Sequence, residues 1–240
     1  MDKEEFYSEL QKHLKEVSIE IAKEKADKMY CYMEMIREWN EKINLTAITE
    51  PKEMVIKHFV DSLVIEKEIP LNSRVIDVGT GAGFPGIVLK ILREDIEITL
   101  IDSLNKRVLF LNEVIEKLKL EKIEAIHVRA EDLANDEKHR EKFDIAVSRA
   151  VANMSTLLEY LLPFVKINGV VLCMKGNQFE EELKGSSKAM KVLGGQLIEV
   201  REYCLPLTDM GRTLVIVKKE NQTPKQYPRK QGKPAKEPIN

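Results

Sequence analysis

The residues best suited to chemistry lie in one short run, Val75-Ile76-Asp77-Val78-Gly79-Thr80-Gly81-Ala82-Gly83-Phe84-Pro85-Gly86. An apolar strand enters a glycine-rich turn, and Pro85 opens the helix that follows. Glycine lets a backbone approach a ligand where a Cβ would clash, and it accepts positive φ in a tight turn. Such a turn after the first strand of an open α/β sheet is where ligands bind. Asp102 ends the next apolar run, Ile98-Thr99-Leu100-Ile101-Asp102. A carboxylate there can accept hydrogen bonds from both hydroxyls of a ribose. Together, turn and carboxylate predict a ligand that contains adenosine.

Two such ligands compete. Gly81-x-Gly83-x-x-Gly86 matches the dinucleotide fingerprint and admits a nicotinamide-dependent oxidoreductase. The form Asp77-x-Gly79-x-Gly81-x-Gly83, with its acid two residues before the first glycine, is more similar to the loop of class I methyltransferases. S-adenosylmethionine lacks a pyrophosphate and carries an ammonium, which Asp77 could serve directly or through water. A β-branched side chain at Gly81 should abolish its binding. Arg129-Ala130-Glu131-Asp132-Leu133 follows the third apolar run, where class I enzymes flank the adenine.

The fourth run ends in Ser148-Arg149-Ala150-Val151-Ala152. Enzymes that methylate exocyclic amines usually carry N-P-P-Y or D-P-P-Y here, and no cysteine is present to form a pyrimidine adduct. That leaves an acceptor that is already nucleophilic. Guanine N7 has a free lone pair and no proton to lose, so alignment is enough. Arg149 could hold a phosphate or a guanine O6; a structural ion pair is its other reading.

The surrounding elements must hold these residues in place. Apolar runs at 74–78, 98–101, 123–128, 144–148 and 170–174 alternate with helix candidates at 86–92, 104–118, 154–164 and 179–193. This pattern predicts an α/β fold with a mainly parallel, Rossmann-like sheet and helices on both faces. Runs at 197–203 and 213–218 predict an antiparallel edge. Residues 1–66 read as a helical extension. Ser18 is a candidate N-cap for the stripe Ala22, Ala26, Met29, Met33, Ile36 and Ile43, and Pro51 opens a helix carrying Val55, Phe59 and Leu63. The stripes should pack against the methyltransferase domain, 67–219.

From Lys218 onward there are seven Lys and Arg against two Glu, a charge of +5, so the remainder carries −2 − 5 = −7. The Pro-rich, basic tail at 220–240 is expected to be disordered when free and to touch phosphate backbones. Deleting residues 221–240 should weaken the salt dependence of RNA binding and leave cofactor affinity unchanged. Cys31, Cys173 and Cys204 are unsuited to a disulfide or zinc framework, no metal-ligand spacing appears, and no signal peptide or membrane span is legible. A cytoplasmic protein without a bound metal is expected.

Several motifs occur together: Trp39-Asn40-Glu41-Lys42-Ile43-Asn44-Leu45-Thr46, Lys57-His58-Phe59-Val60-Asp61-Ser62-Leu63, the glycine loop, Asp102-Ser103-Leu104-Asn105-Lys106-Arg107 and Ser148-Arg149-Ala150-Val151-Ala152. With them the chain resembles the bacterial small-subunit rRNA guanine-N7 methyltransferases, the glucose-inhibited division protein B family. The likeness runs through the tail motif at 223–230. It implies a guanine in the decoding-region loop of 16S rRNA as target, in free RNA or the small ribosomal subunit. It also implies cofactor contacts at Gly79, Phe84, Ala130, Glu131 and Arg149. Another RNA as substrate, and a non-catalytic RNA-binding module with a dead pocket, are the remaining alternatives.

Overall fold

The computed structural model describes residues 1–149, 151–176 and 180–239. Helices α1 (Lys3–Glu16) and α2 (Lys23–Asn40) come first. They are followed by α3 (Pro51–Met54), a π-helical turn Val55–Val60 and α4 (Asp61–Leu63). The alternating part runs β1 (Arg74–Val78), α5 (Gly86–Leu92), β2 (Glu97–Asp102), α6 (Asn105–Lys117), β3 (Ile123–His127), α7 (Ala130–Leu133), β4 (Phe143–Arg149), α8 (Met154–Leu161) and β5 (Val165–Lys175). Then come α9 (Glu180–Gly185), α10 (Ser187–Val192), β6 (Gly195–Cys204), β7 (Gly211–Lys219) and α11 (Lys233–Lys236).

The seven strands lie in the order β3-β2-β1-β4-β5-β7-β6. Strands β1 to β5 pair in parallel, and β7 and β6 complete the sheet antiparallel. This is the mainly parallel, Rossmann-like sheet with an antiparallel edge that the alternating runs predicted.

Successive strand residues point to opposite faces, so each strand feeds two cores. Val75, Leu172, Met174, Leu214 and Ile216 join one core with the N-terminal helices, α5 and α6. Ile76, Val171, Cys173, Val215 and Val217 join the other, with α7, α8 and α10. Of the stripe residues, Ala26, Met29, Met33, Ile36, Val55, Phe59 and Leu63 are buried in the first core and Ile43 packs half-buried against it, whereas Ala22 is exposed, because it precedes α2 instead of lying within it. The N-terminal segment is therefore one face of the α/β layer stack.

Three expectations are corrected. Ser18 is not an N-cap: it sits in a turn at φ +57, and α2 starts at Lys23 after Ala22, which has no side-chain cap. The continuous helix expected over 179–193 is two short ones, parted at Ser186, whose backbone and hydroxyl both donate to Leu183 O; Phe179 lies outside the described residues.

The third correction concerns the tail, which is docked. Arg229 meets the buried Glu159 through its backbone N, Nε and Nη2, at 2.8, 2.9 and 2.6 Å. Arg140 donates to the carbonyls of Thr223 and Tyr227, and Pro234 and Ile239 are buried. Charge and proline content forecast disorder because they treat each cation as needing water. Here one guanidinium has a buried carboxylate and another ties down backbone carbonyls.

Candidate active site

Glycine loop and Asp102 meet at the carboxyl ends of β1 and β2. Gly79, Gly81 and Gly83 all take positive φ, +70, +62 and +101. Gly79 N donates to Ile101 O at 2.9 Å, and Gly81 N to Asp102 Oδ2 at 2.9 Å. Leu104 N donates to Asp102 Oδ1, and Arg107 Nη1 reaches Oδ2 at 3.3 Å. A carboxylate offers about four acceptor positions, and three are taken. One further donor fits without rearrangement. A second ribose hydroxyl would have to displace Arg107, whose bond is the longest of the three.

Asp102→Ala should leave two backbone N–H groups without their acceptor and remove the hydroxyl partner, weakening S-adenosylhomocysteine binding by about 1–2 kcal/mol. Calorimetry giving the parent affinity would take Asp102 out of the site.

Asp77 does not face the open cavity. It is fully buried beneath the loop, where Oδ2 accepts from Thr80 Oγ1 at 2.7 Å and Gly86 N at 2.9 Å. Its Oδ1 is, among the described residues, the one buried side-chain polar atom without a partner. Burial raises its carboxyl to about 6, against the two hydrogen bonds that favour the charged form. This placement bears on the choice of ligand: a pyrophosphate at the start of α5 would meet a carboxylate already holding Gly86 N, so the dinucleotide reading of Gly81–Gly86 loses its anion site.

A cavity of about 250 Å³ opens beside the loop. Val78, Gly79, Ile101 and Asp102 form one side, Val128, Ala130 and Glu131 another, and Val151, Thr156 and Tyr160 a third. Apolar walls with a carboxylate at the β2 end suit an adenosine. Glu131 is buried, and its Oε1 accepts from Gly232 N at 3.0 Å.

Phe84 and Arg149 belong to a second cluster. The Arg149 guanidinium lies 5.1 Å above the Phe84 ring. Nη1 donates to Lys57 O and to Asp61 Oδ2, both at 3.0 Å, and Nη2 approaches His58 Nδ1 at 3.2 Å. Asp61 Oδ1 also accepts from Arg212 Nε. Arg149 is thus in an ion pair, as its structural reading required, and the cluster Arg149–Asp61–Arg212 carries a net positive charge. Ala150 lies outside the described residues.

Two N-terminal residues that the sequence did not single out complete the site. Tyr32, on α2, is buried and donates its hydroxyl to Ala82 O within the glycine loop, tilted against Phe84 at 5.4 Å. His58 stacks on that ring at 4.4 Å. Since Arg149 can only donate, His58 Nδ1 must accept, and Nε2 then carries the proton toward Thr46 Oγ1 at 2.8 Å. Asn40 Oδ1 fixes the same turn by accepting from Leu45 N and Thr46 N. The two N-terminal motifs therefore build the support of Arg149. Their co-occurrence was the only signal, because nothing local says that residue 58 meets residue 149.

Burial, and then Arg149, push His58 down to about 3. Its folded value lies below the ordinary 6.5, so the unfolded chain takes up the proton first as the pH falls. The stability it contributes is complete above about 6.5 and is lost progressively toward 3. Asp77 works the other way: its carboxyl is raised, so the folded chain is protonated first and stability falls as the pH rises from about 3.8 to 6. Urea unfolding should show a flatter acid limb in His58→Gln and, between those two values, a loss of the opposing slope in Asp77→Asn. Unchanged slopes would mean that neither group titrates differently in the folded chain.

A family model described as rRNA small subunit methyltransferase G matches residues 25–206. A protein of that name from Desulforamulus reducens is 52% identical, over 96% of this chain and 97% of its own length. One from Clostridium botulinum is 52% identical over 98% of this chain and 99% of its own. One from Acetivibrio thermocellus is 50% identical over 90% and 89%. Among solved structures, the [4+2]-cyclase SpnF aligns with a TM-score of 0.56 at 13% identity, covering 82% of this chain and 96% of that one. A precorrin-6y C5,15-methyltransferase from Geobacter metallireducens aligns with a TM-score of 0.51 at 14% identity, covering 74% and 93%. At those identities the likeness to solved structures is one of fold alone.

Proposed function

The chain belongs to the rRNA small subunit methyltransferase G family, and from that premise we propose that it methylates N7 of a guanine in a loop of 16S rRNA. As a family member it is an S-adenosylmethionine-dependent rRNA methyltransferase. The observation that carries the acceptor is the end of β4. Arg149 there is a permanent cation held by Asp61 and His58, and Ser148 is committed to Val78 O at 2.8 Å. Neither can take a proton from an acceptor, and no N-P-P-Y motif follows.

The cofactor supplies an electrophilic methyl group on a sulfonium. When bound, the cofactor would offer that methyl group to the N7 lone pair and keep the C–S bonding pair on its sulfur. The positive charge passes to the purine, and no proton moves. The protein has to orient the partners and exclude water, and orientation is worth roughly 7–11 kcal/mol. We assign Asp102, Gly79, Ala130 and Glu131 to the adenosine, Gly81 and Gly83 to the shape of the loop, and Asp77 to its support. Phe84 carries Arg149, which steers the negative or carbonyl end of a bound partner.

In this reading residues 67–219 bind the cofactor, and the extension 1–66 and tail 220–240 add contacts to RNA. Lys225, Lys230, Lys233 and Lys236 of the tail are exposed. In an A-form duplex N7 faces a groove too narrow for a side chain, so the target is unpaired or turned out of its stack. The small ribosomal subunit or its free RNA is the partner, and the cytoplasm the place of action. No helix among the described residues is long and apolar enough to cross a membrane.

The test is incubation with labelled cofactor and ribosomal particles lacking the modification. Mild borohydride reduction and aniline should then cleave the RNA at one position. Label that resists this treatment and digests to N2-methylguanosine or N6-methyladenosine would overturn the N7 assignment while leaving the methyltransferase intact.

A further inference from the structure

The tail touches the adenosine cavity as well as the protein surface. Ala235 of α11 lines the cavity together with Glu131 and Tyr160. Gly232, at φ +76 before α11, donates its N–H to Glu131 Oε1 at 3.0 Å. Thr156, another cavity residue, donates its hydroxyl to Pro234 O at 3.0 Å. The strap is anchored just upstream by Arg229 on Glu159, whose carboxylate is fully buried. Glu131 and Thr156 thus each face the cavity and hold the tail. No strand pairing holds residues 229–236 in place; side-chain bonds, a few buried groups and the single turn α11 do.

We propose that residues 229–236 are the outer wall of the adenine end of the cofactor site, docked by the Arg229–Glu159 and Gly232–Glu131 bonds, so that cofactor and strap bind the domain cooperatively. The proposal rests on reading the cavity as the adenosine site. A docked strap fixes one oxygen of Glu131 and covers one edge of the base; a bound base gives Ala235 a surface to close on. Linkage makes the effect reciprocal: whatever affinity the strap adds to the cofactor, the cofactor adds to docking of the strap. This replaces the expectation that tail removal leaves cofactor affinity unchanged.

The experiment titrates S-adenosylhomocysteine into the full chain and into a chain ending at Pro228. The shortened chain carries Glu159→Gln, so that no buried carboxylate is left without its guanidinium. Affinity should fall by roughly tenfold or more in the shortened chain. A second measurement needs no substitution: hydrogen exchange at 229–239 of the full chain should slow when S-adenosylhomocysteine saturates it. Equal affinities, or exchange unchanged on saturation, overturn the proposal. A full chain that does not bind S-adenosylhomocysteine overturns the cofactor reading as well, which sets that failure apart from failure of the strap alone.

Discussion

Replacing Gly79 by Val should reduce S-adenosylhomocysteine affinity on the order of a thousandfold, about 4 kcal/mol, while the domain stays folded. Gly79 holds φ +70, and an added Cβ would sit 2.7 Å from Val151 Cγ2 and 3.3 Å from Cγ1. The left-handed backbone costs an L-residue about 1–2 kcal/mol, and overfilling a packed contact typically costs about 1–3. Those costs fall on the folded domain with or without ligand; affinity falls because the new side chain and the displaced Val151 both line the cavity and take up the ligand's place. Gly81 is the control. Its φ is +62, yet nothing lies within 4 Å of an added Cβ, so the space beside it is open. Any loss in Gly81→Val beyond backbone strain therefore reports the ligand itself. Calorimetry with circular dichroism on both variants makes the check; Gly79→Val binding within tenfold of the parent would show that this turn does not contact the cofactor.

The second large effect is at Arg149. Arg149→Ala should lower kcat/KM for methyl transfer to rRNA by roughly a hundredfold or more, because misplacing a reacting group by about 1 Å costs that much. The fold should survive: Asp61 keeps Arg212, so its buried carboxylate is not orphaned. Arg149→Lys should be nearly as poor. The guanidinium reaches Lys57 O, Asp61 and His58 through two of its nitrogens while lying 5.1 Å over the Phe84 ring, and an ammonium cannot reproduce that fork. Single-turnover methylation of ribosomal particles reads this directly. Activity within threefold of the parent in either variant would reduce Arg149 to a structural ion pair.

The tail illustrates how composition misleads. Four exposed lysines and several prolines dominate its average, and averages are blind to position. Arg229, Pro234 and Ile239 decide its structure: the first by its bonds to Glu159, the second by its burial and the Thr156 hydroxyl on its carbonyl, the third by joining the second core. Asp77 is a comparable case on a smaller scale. Its place before the glycines is legible, but the direction of its carboxylate depends on Thr80 and Gly86, and those bonds turn it under the loop.

By itself, the order of residues determined what local rules govern. Alternation of apolar residues set the strands and the two faces they feed. Glycines at 79, 81 and 83 marked positive φ in the turn, and Asp102 marked the end of β2 beside it. These are contacts within a strand–turn–helix unit, where the backbone's own geometry leaves few choices. Only the tertiary structure decided that Tyr32 grips the glycine loop, that His58 and Asp61 hold Arg149, and that Gly232 reaches Glu131. Each of those pairs is separated by tens of residues or more, and a hydrogen bond at that separation depends on how helices and strands pack around two cores, which no spacing in the chain encodes.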